Sequence, residues 1–486
     1  MFNTVLDVLL LFTVTTPLVG AALSRLRKQN LTGYYTLTGL IIAGIGLYEI
    51  YNNFTSNSTP PSNVGIFSAI LRTDMLSIFM TTAFIMVGLA VTVYSIKYMA
   101  KDTGKPLYYT LLLAMISGMV GTVFAGDLFT LYVFWELMSI SSYVLVAFRK
   151  ETSEPIEAAF KYMMMSVAGS ATLLMGIAFL YGMAGTLNFQ GLAAAFSQGP
   201  SNVWFYVAFV MILVGFGVKA AIVPLHTWLP DAYSAAPTPI SAILSGVVTE
   251  TGVFALVRTF FTAFLSIQVH WFIVVAILSI VTMTLGNLMA LLQNDVKRLL
   301  AYSSIGNVGY MLVGVAVGTQ LGLTGTLMHI FNHALIKSTA FLCLGAIIFR
   351  IKSRNLQDMA GIGRKMPVTA AFFAISLFAL IGMPPFNGFI SELTLFTSSV
   401  QANVPWLGIA IVLNSLLSGG YCLRILRSLV QPSVSDSLSK VKEAPLLMLM
   451  PIGIMVALII FFGIYPDPLI RFAQQAASGL LATAGR

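Results

Sequence analysis

Long apolar runs dominate the chain, separated by short stretches that carry most of its charge. Runs of about 20 residues have the length of a helix that crosses a bilayer. They begin near residues 5, 34, 74, 107, 127, 158, 203, 238, 270, 300, 322, 367, 404 and 445, which predicts about fourteen spans. Prolines interrupt two of them. Pro224 follows the apolar run Phe205 to Val223, and Met383–Pro384–Pro385 divides FALIGMPPFNGFISELTLF. A broken helix at membrane depth frees backbone groups that need water or side chains, so it lines a polar cavity. The breaks fall in the seventh and twelfth spans, the pattern expected of repeated halves with a site near the midplane. Spans four to eight and nine to thirteen then form two five-helix units, and an odd helix number inverts the second relative to the first. The expected fold is a single all-α polytopic membrane domain. It comprises N-terminal helices over 1–106, a first repeat over 107–262, an inverted repeat over 270–430, and a C-terminal helix and tail over 444–486.

Composition supports that class. The 486 residues are 58% hydrophobic and 9% charged, with mean hydropathy +0.90, against about 25% charged in a soluble protein. A soluble enzyme with one anchor is excluded. Cys343 and Cys422 both lie in apolar segments far apart, with no CxxC or Cys/His cluster, so a disulfide framework, an iron–sulfur cluster or a zinc site is not expected. The net charge of +9 does not point to nucleic acid, because the cations sort by loop. With Arg25, Arg27 and Lys28 cytoplasmic, twenty of the 26 Lys and Arg fall on the inner side. Arg72, Arg258, Arg471 and Arg486 fall outside, while Lys219 and Lys337 lie within spans. This bias predicts a multi-pass protein of the plasma or inner membrane with both termini outside. The first run reads as a retained helix, not a cleaved signal. The polar loop Asn52–Asn63 has N-x-[ST] matches at Asn53 and Asn57, read as solvated loop positions.

Seven ionisable residues fall within the runs: Glu136, Lys219, Glu250, His329, His333, Lys337 and Glu392. Each costs roughly 2.5–3.5 kcal/mol to insert if charged and alone, so each needs a buried partner or moves charge. A buried Lys and a buried carboxylate lose their charge on desolvation and regain it when paired, so a movable partner makes a proton switch. His329, His333 and Lys337, four apart, share one helix face and suit a proton relay. The alternatives are interhelical hydrogen bonds for Glu136 and the histidines, metal binding at i, i+4 without the glutamate of HExxH, and snorkelling for Lys337. Glu250 either joins the relay or balances Lys219 or Arg258. Glu49, Asp74 and Asp127 lie at span ends and read as solvated. His226 and Asp231, just after the first break, are either a proton uptake point or ordinary loop residues. Met163–Met165 read as lipid-facing or packing residues.

The stretches DLFTLYVFWELMSISSYVLVAF, GFGVKAAIVPLHTWLPDAYSAAPTPISAILSG, NDVKRLLAYSSIGNVGYMLVG, HIFNHALIKSTAFL and MPPFNGFISELTLF run through both proposed repeats. They resemble the antiporter-like membrane subunits shared by respiratory complex I, multisubunit cation/proton antiporters and energy-converting membrane-bound hydrogenases. The resemblance implies fourteen helices, an inverted five-helix repeat, and a Glu136–Lys219 pair. It further implies a polar axis through His329, His333 and Lys337, ending at Glu392 in the second broken helix. Two positions depart from it: Glu250 stands where many relatives have lysine, and Asn307 where several have histidine. Glu392 agrees with M-type and some hydrogenase members, whereas AAPTPISAILSG is closer to D-type and hydrogenase members. The implied function is proton translocation, or Na+/H+ exchange, by a cofactor-free and metal-free subunit of a redox-driven complex. Its partners would be membrane and peripheral subunits, further antiporter-like subunits, and lipid. The alternative is a D-type subunit of a cation/proton antiporter with no redox partner.

Overall fold

The computed structural model describes residues 31–56, 62–66, 69–199, 202–432 and 441–483. The first expected span, with Arg25, Arg27 and Lys28, lies outside the described residues, as do Asn57 and Arg486. Helix α1 (Thr32–Ser56) leads to a hairpin of β1 (Ser62–Ile66) and β2 (Ala69–Thr73), paired antiparallel with Val64 opposite Leu71. Next come α2 (Met75–Tyr98), α3 (Lys105–Phe124), α4 (Leu128–Val146), α5 (Ser153–Ala184), the short α6 (Phe189–Ala195) and α7 (Val203–Lys219). After the first break follow α8 (Trp228–Ala235) and α9 (Thr238–Phe260), which carries a π-helical turn at Leu244–Val248. Then α10 (Gln268–Leu291), α11 (Val296–Val317), the long α12 (Gln320–Ile351) and α13 (Pro367–Ile381) precede the second break. Helices α14 (Asn387–Gln401), α15 (Pro405–Val430), α16 (Leu446–Ile464) and α17 (Asp467–Thr483) complete the fold.

Among the described residues, ten helices are long and apolar enough to cross a bilayer: α2–α5, α9–α12, α15 and α16. The expected count was higher. Of the four spans that make the difference, the first lies outside the described residues and α1 is not among the ten. The other two are the broken spans, divided into pieces of 17 residues in α7 and 15 each in α13 and α14, each too short alone. Helices α9 and α11 are enclosed on all sides, and α12 packs against α2, α9, α11, α13, α14, α16 and α17. Close approach of α10 to α11 depends on glycine. A Cβ on Gly286 would stand 2.4 Å from the Gly306 nitrogen, and one on Gly309 would stand 2.4 Å from the Met283 nitrogen. Small residues are how membrane helices bring backbones together.

One end of the bundle gathers ion pairs between loops. Arg149 pairs with Asp102 at 2.8 Å, and Arg354 pairs with Asp295 at 2.6 Å and Glu154 at 2.5 Å. Asp231 receives Lys161 at 3.2 Å and Arg298 at 2.9 Å. These are the cations expected on the inner side. The opposite end overturns an expectation. Asp74 is not solvated but 5% exposed, and it pairs with Arg258 and, at 3.2 Å, with Arg72, themselves 1% and 2% exposed. Asp74 also caps α2 by accepting from the Ser77 N–H at 2.9 Å. Asp127 is likewise buried, capping α4 through the Phe129 and Thr130 N–H groups. Glu49 is exposed, as expected.

Candidate functional site

Lys219 is the last residue of α7 and is 2% exposed. Its ammonium donates to the Tyr162 hydroxyl at 2.6 Å, to Ser139 at 3.0 Å and to Ser142 at 3.4 Å. It lies 4.9 Å from the centre of the Tyr162 ring, at the hydroxyl edge. Trp228 stacks on the Tyr162 ring, with ring centres 4.0 Å apart and planes 7° apart, and its indole N–H donates to the Val218 carbonyl at 2.8 Å. Glu136 lies on the same helix as the two serines but makes no ion pair with Lys219. Ser139 and Ser142, one and two turns further along α4, take the contact instead, while Glu136 stays within electrostatic reach. Glu136 is half-buried, and its Oε1 has no hydrogen-bonding partner.

The break beside Lys219 runs from Ala220 to Thr227. Ala221 has φ of 54°, and the Val223 N–H donates to the Thr282 hydroxyl at 3.1 Å. The peptide bond before Pro224 is cis, as is that between Pro384 and Pro385 in the second break. A cavity of about 440 Å³, lined by Lys161, Met164, Thr227, Trp228 and Asp231, lies beside the first break. Asp231 is therefore at this cavity, engaged by two cations; His226 is half-buried with its Nδ1 unpaired.

In the centre, Glu250 follows the π-helical turn of α9 and is fully buried. Its Oε1 meets Nδ1 of His333 in a short contact, while Glu250 Oε2 and His333 Nε2 have no protein partner. Glu250 thus balances neither Lys219 nor Arg258, whose partner is Asp74. Lys337, also fully buried, donates to the Leu300 carbonyl at 3.0 Å and contacts the Ser303 hydroxyl.

His329 links this centre to the second break. Its Nε2 meets Asn307 Oδ1 at 3.2 Å, and Asn307 in turn donates to the Ser303 carbonyl at 2.7 Å. Its Nδ1 meets the Ser391 hydroxyl at 3.1 Å. Asn307 is thus part of the polar chain. The Tyr310 ring stacks on His329 with centres 5.6 Å apart, and its hydroxyl meets Ser415 at 3.3 Å. Ser415 donates to Glu392 Oε2 at 2.6 Å. Glu392 is half-buried on α14 and rests against the break, where Gly382 has φ of 79°. A Cβ on Gly382 would stand 2.6 Å from Glu392 Oε2. A cavity of about 420 Å³ lies beside Glu392, Ser415, Gly382 and Leu416. Met383, Pro384 and Pro385 are exposed.

His329, His333, Lys337, Glu250 and Glu392 therefore come together along α12, whereas Lys219 is a separate cluster. Between them stands Tyr233, whose hydroxyl donates to the Leu244 carbonyl at 2.7 Å and meets Thr249, the neighbour of Glu250, at 3.1 Å. Sequence reasoning missed Ser139, Ser142, Tyr162, Tyr310, Ser303 and Ser415. A signal existed for two: Glu136, Ser139 and Ser142 recur at helical spacing on α4. It also missed Asn332 and Asn387, which exchange hydrogen bonds of 2.8 and 2.9 Å and tie α12 to the start of α14. Among the described residues, no three His, Cys, Asp or Glu side chains converge as a metal site requires.

Residues 125–418 match the family described as NADH:quinone oxidoreductase/Mrp antiporter, transmembrane. The chain belongs to this family. Residues 66–109 also match the N-terminal region of chain 5 of NADH-ubiquinone oxidoreductase (complex I). Members of the family are multi-pass membrane subunits of respiratory complexes in the cell membrane. F420H2 dehydrogenase subunit N of Methanosarcina mazei is 33% identical over 473 residues, covering 96% of this chain and 95% of that one. NADH-quinone oxidoreductase subunit N of Trichlorobacter lovleyi is 34% identical over 460 residues, covering 93% and 91%. A chain of the membrane-bound sulfane sulfur reductase, an archaeal respiratory membrane complex, superposes with a TM-score of 0.90 at 26% identity over 99% of each chain. The family match spans both breaks and every within-span ionisable residue from Glu136 to Glu392.

Proposed function

We propose that this chain is a proton-translocating, antiporter-like subunit of a redox-driven energy-converting complex. The observation that carries the reading is the row of buried ionisable groups, Lys219, Glu250–His333, Lys337 and Glu392, lying between two broken helices. A buried ammonium surrounded by hydroxyls is held by dipoles that do not fix its charge, so a nearby carboxylate decides whether it keeps its proton. Glu136 supplies that field from the half-buried face of α4. When a neighbouring subunit neutralises or withdraws the Glu136 charge, Lys219 releases its proton toward the Glu250–His333 pair. When the charge returns, Lys219 reloads through the cavity at Asp231.

Onward transfer runs along α12 by way of His329, whose two ring nitrogens both have hydrogen-bonding partners. With Nε2–H donating to Asn307, His329 accepts at Nδ1 from Ser391. Protonation at Nδ1 reverses that bond, and the single Ser391 proton then serves the Gly388 carbonyl at 2.9 Å. Ser415 and Tyr310 connect this imidazole region to Glu392, the terminal acceptor. Lys337 sets the field on Glu250 and His333 and titrates with them as one coupled set.

In this reading the chain crosses the membrane fourteen times, with inverted five-helix units over 107–262 and 270–430 and both termini outside. The basic loops, and the similar position of each break within its unit, support it. Electron transfer is assigned to partner subunits, with further antiporter-like subunits alongside. Redox complexes in the names of the relatives favour this over an antiporter with no redox partner, although the family description includes both. The subunits that co-purify with the chain distinguish the two. Replacing Lys219 by Ala is expected to abolish redox-driven proton uptake in membrane vesicles while electron flow to an artificial acceptor continues. Undiminished uptake would overturn the proposal.

A further inference from the structure

A groove of about 950 Å³ lies between α13 and α15 and runs from Arg364 to Phe378, just short of the second break. Ala370, Ala371, Ala374 and Phe378 form one wall, and Leu423 and Leu426 the other. Arg364 and Arg427 stand at its mouth, both exposed. Neither takes part in an ion pair among the described residues. The carboxylate of Glu443, at the head of α13, is already engaged, accepting from the Val368 N–H at 2.9 Å and the Thr369 hydroxyl at 2.5 Å. The groove therefore joins an apolar trough to two guanidinium groups that have no ion-pair partner among the described residues.

Its depth selects the occupant. From Pro367 to Phe378 the wall rises about 1.5 Å per residue, roughly 17 Å, which is about half of a ~30 Å hydrocarbon core. The groove stops there, although α15 continues outward to Pro405. A partner's transmembrane helix would follow the whole span; a lipid occupies one leaflet. Guanidinium forks match phosphate oxygens, and basic pockets between helices at the cytoplasmic rim hold anionic headgroups. We infer that this groove is a binding site for an anionic phospholipid, with acyl chains between α13 and α15 and its phosphate on Arg364 and Arg427.

The test uses the full-length chain, purified with its accompanying subunits. It is offered equal amounts of phosphatidylglycerol and phosphatidylcholine, and retained lipid is read by native mass spectrometry. Wild type is expected to retain phosphatidylglycerol preferentially. Preference is expected to fall about fivefold for each arginine lost in R364Q and R427Q. A charge-matched control, K101Q/K150Q, removes two other exposed cations and is expected to keep the preference. Ala374→Phe fills the trough with both arginines present and is expected to lose the lipid. Equal retention of the two lipids by wild type would overturn the site. So would an equal loss in the control, or a cross-link from the Leu426→Cys variant to a partner subunit. Because the readout is lipid occupancy, its failure is separable from failure of the translocation proposal.

Discussion

Tyr162 is the residue on which the Lys219 cluster turns, since its hydroxyl makes the shortest hydrogen bond to the ammonium. Tyr162→Phe deletes the hydroxyl but keeps the ring stacked on Trp228. A hydrogen bond to a charged group contributes roughly 1.5–3 kcal/mol to stability, so the melting temperature in detergent is expected to fall, and proton uptake by vesicles is expected to fall with it as the ammonium loses its closest partner. An unchanged rate would mean that the hydroxyl does not hold the ammonium. Glu250 separates folding from transport. Glu250→Ala strands His333 Nδ1 in the core and is expected to cost roughly 1–3 kcal/mol, read as a lower melting temperature in detergent. Glu250→Gln keeps a bonding partner, so it should melt near wild type yet fail to pump. Pumping by Glu250→Gln would remove Glu250 from the path. The ionisable members of both clusters were legible from sequence because charge is rare in apolar helices. Their hydroxyl and amide partners were not, since Ser, Thr, Tyr and Asn are ordinary in such helices. Only the crossing of α4, α5 and α7 brings Ser139 and Tyr162 to Lys219.

At the level of elements, each break depends on a few backbone positions. Ala221 occupies the left-handed region, which a small residue tolerates at about 1 kcal/mol and a β-branched one does not. Ala221→Gly is therefore expected to preserve pumping. Ala221→Val should distort the turn that ends α7 and lower both pumping and thermal stability; wild-type behaviour of this variant would show that the turn is not under this constraint. The α10–α11 contact makes a similar demand. The atoms facing a new Cβ at Gly286 are backbone, so Gly286→Ala forces the helices apart, at roughly 1–3 kcal/mol by the cost of overpacking. The helices themselves were readable. Apolar runs set their starts to within a few residues, and prolines marked the breaks. The hairpin, α6, α8 and the π-helical turn in α9 were not seen, because they are short and their stability comes from tertiary partners. Tyr233 and Thr249, which both bond the Leu244 carbonyl, are an example of such support.

Across the whole molecule, the two ends of the bundle are closed differently. Exposed loop ion pairs join the end that carries the basic loops, and each contributes little. The opposite end has a buried clasp in which Asp74, at the head of α2, holds Arg72 of β2 and Arg258 near the end of α9. Sequence read Asp74 as solvated and left its pairing with Arg258 unseen, because the two residues are 184 apart and their pairing leaves no local trace. Burial pushes the Asp74 carboxyl up. The Arg258 guanidinium, then Arg72 and the Ser77 N–H, outweigh burial and hold it at about 2, below the usual 3.8. A carboxylate depressed in the folded state stabilises the fold above its unfolded pKa and loses that contribution as pH falls through the folded one. At neutral pH the shift corresponds to stabilisation on the order of 2 kcal/mol. Asp74→Asn should therefore lower the melting temperature by a constant amount between pH 5 and 8, and the gap from wild type should narrow below about pH 4. A gap that persists unchanged at pH 3 would mean that the stability conferred by Asp74 is packing and capping, not charge.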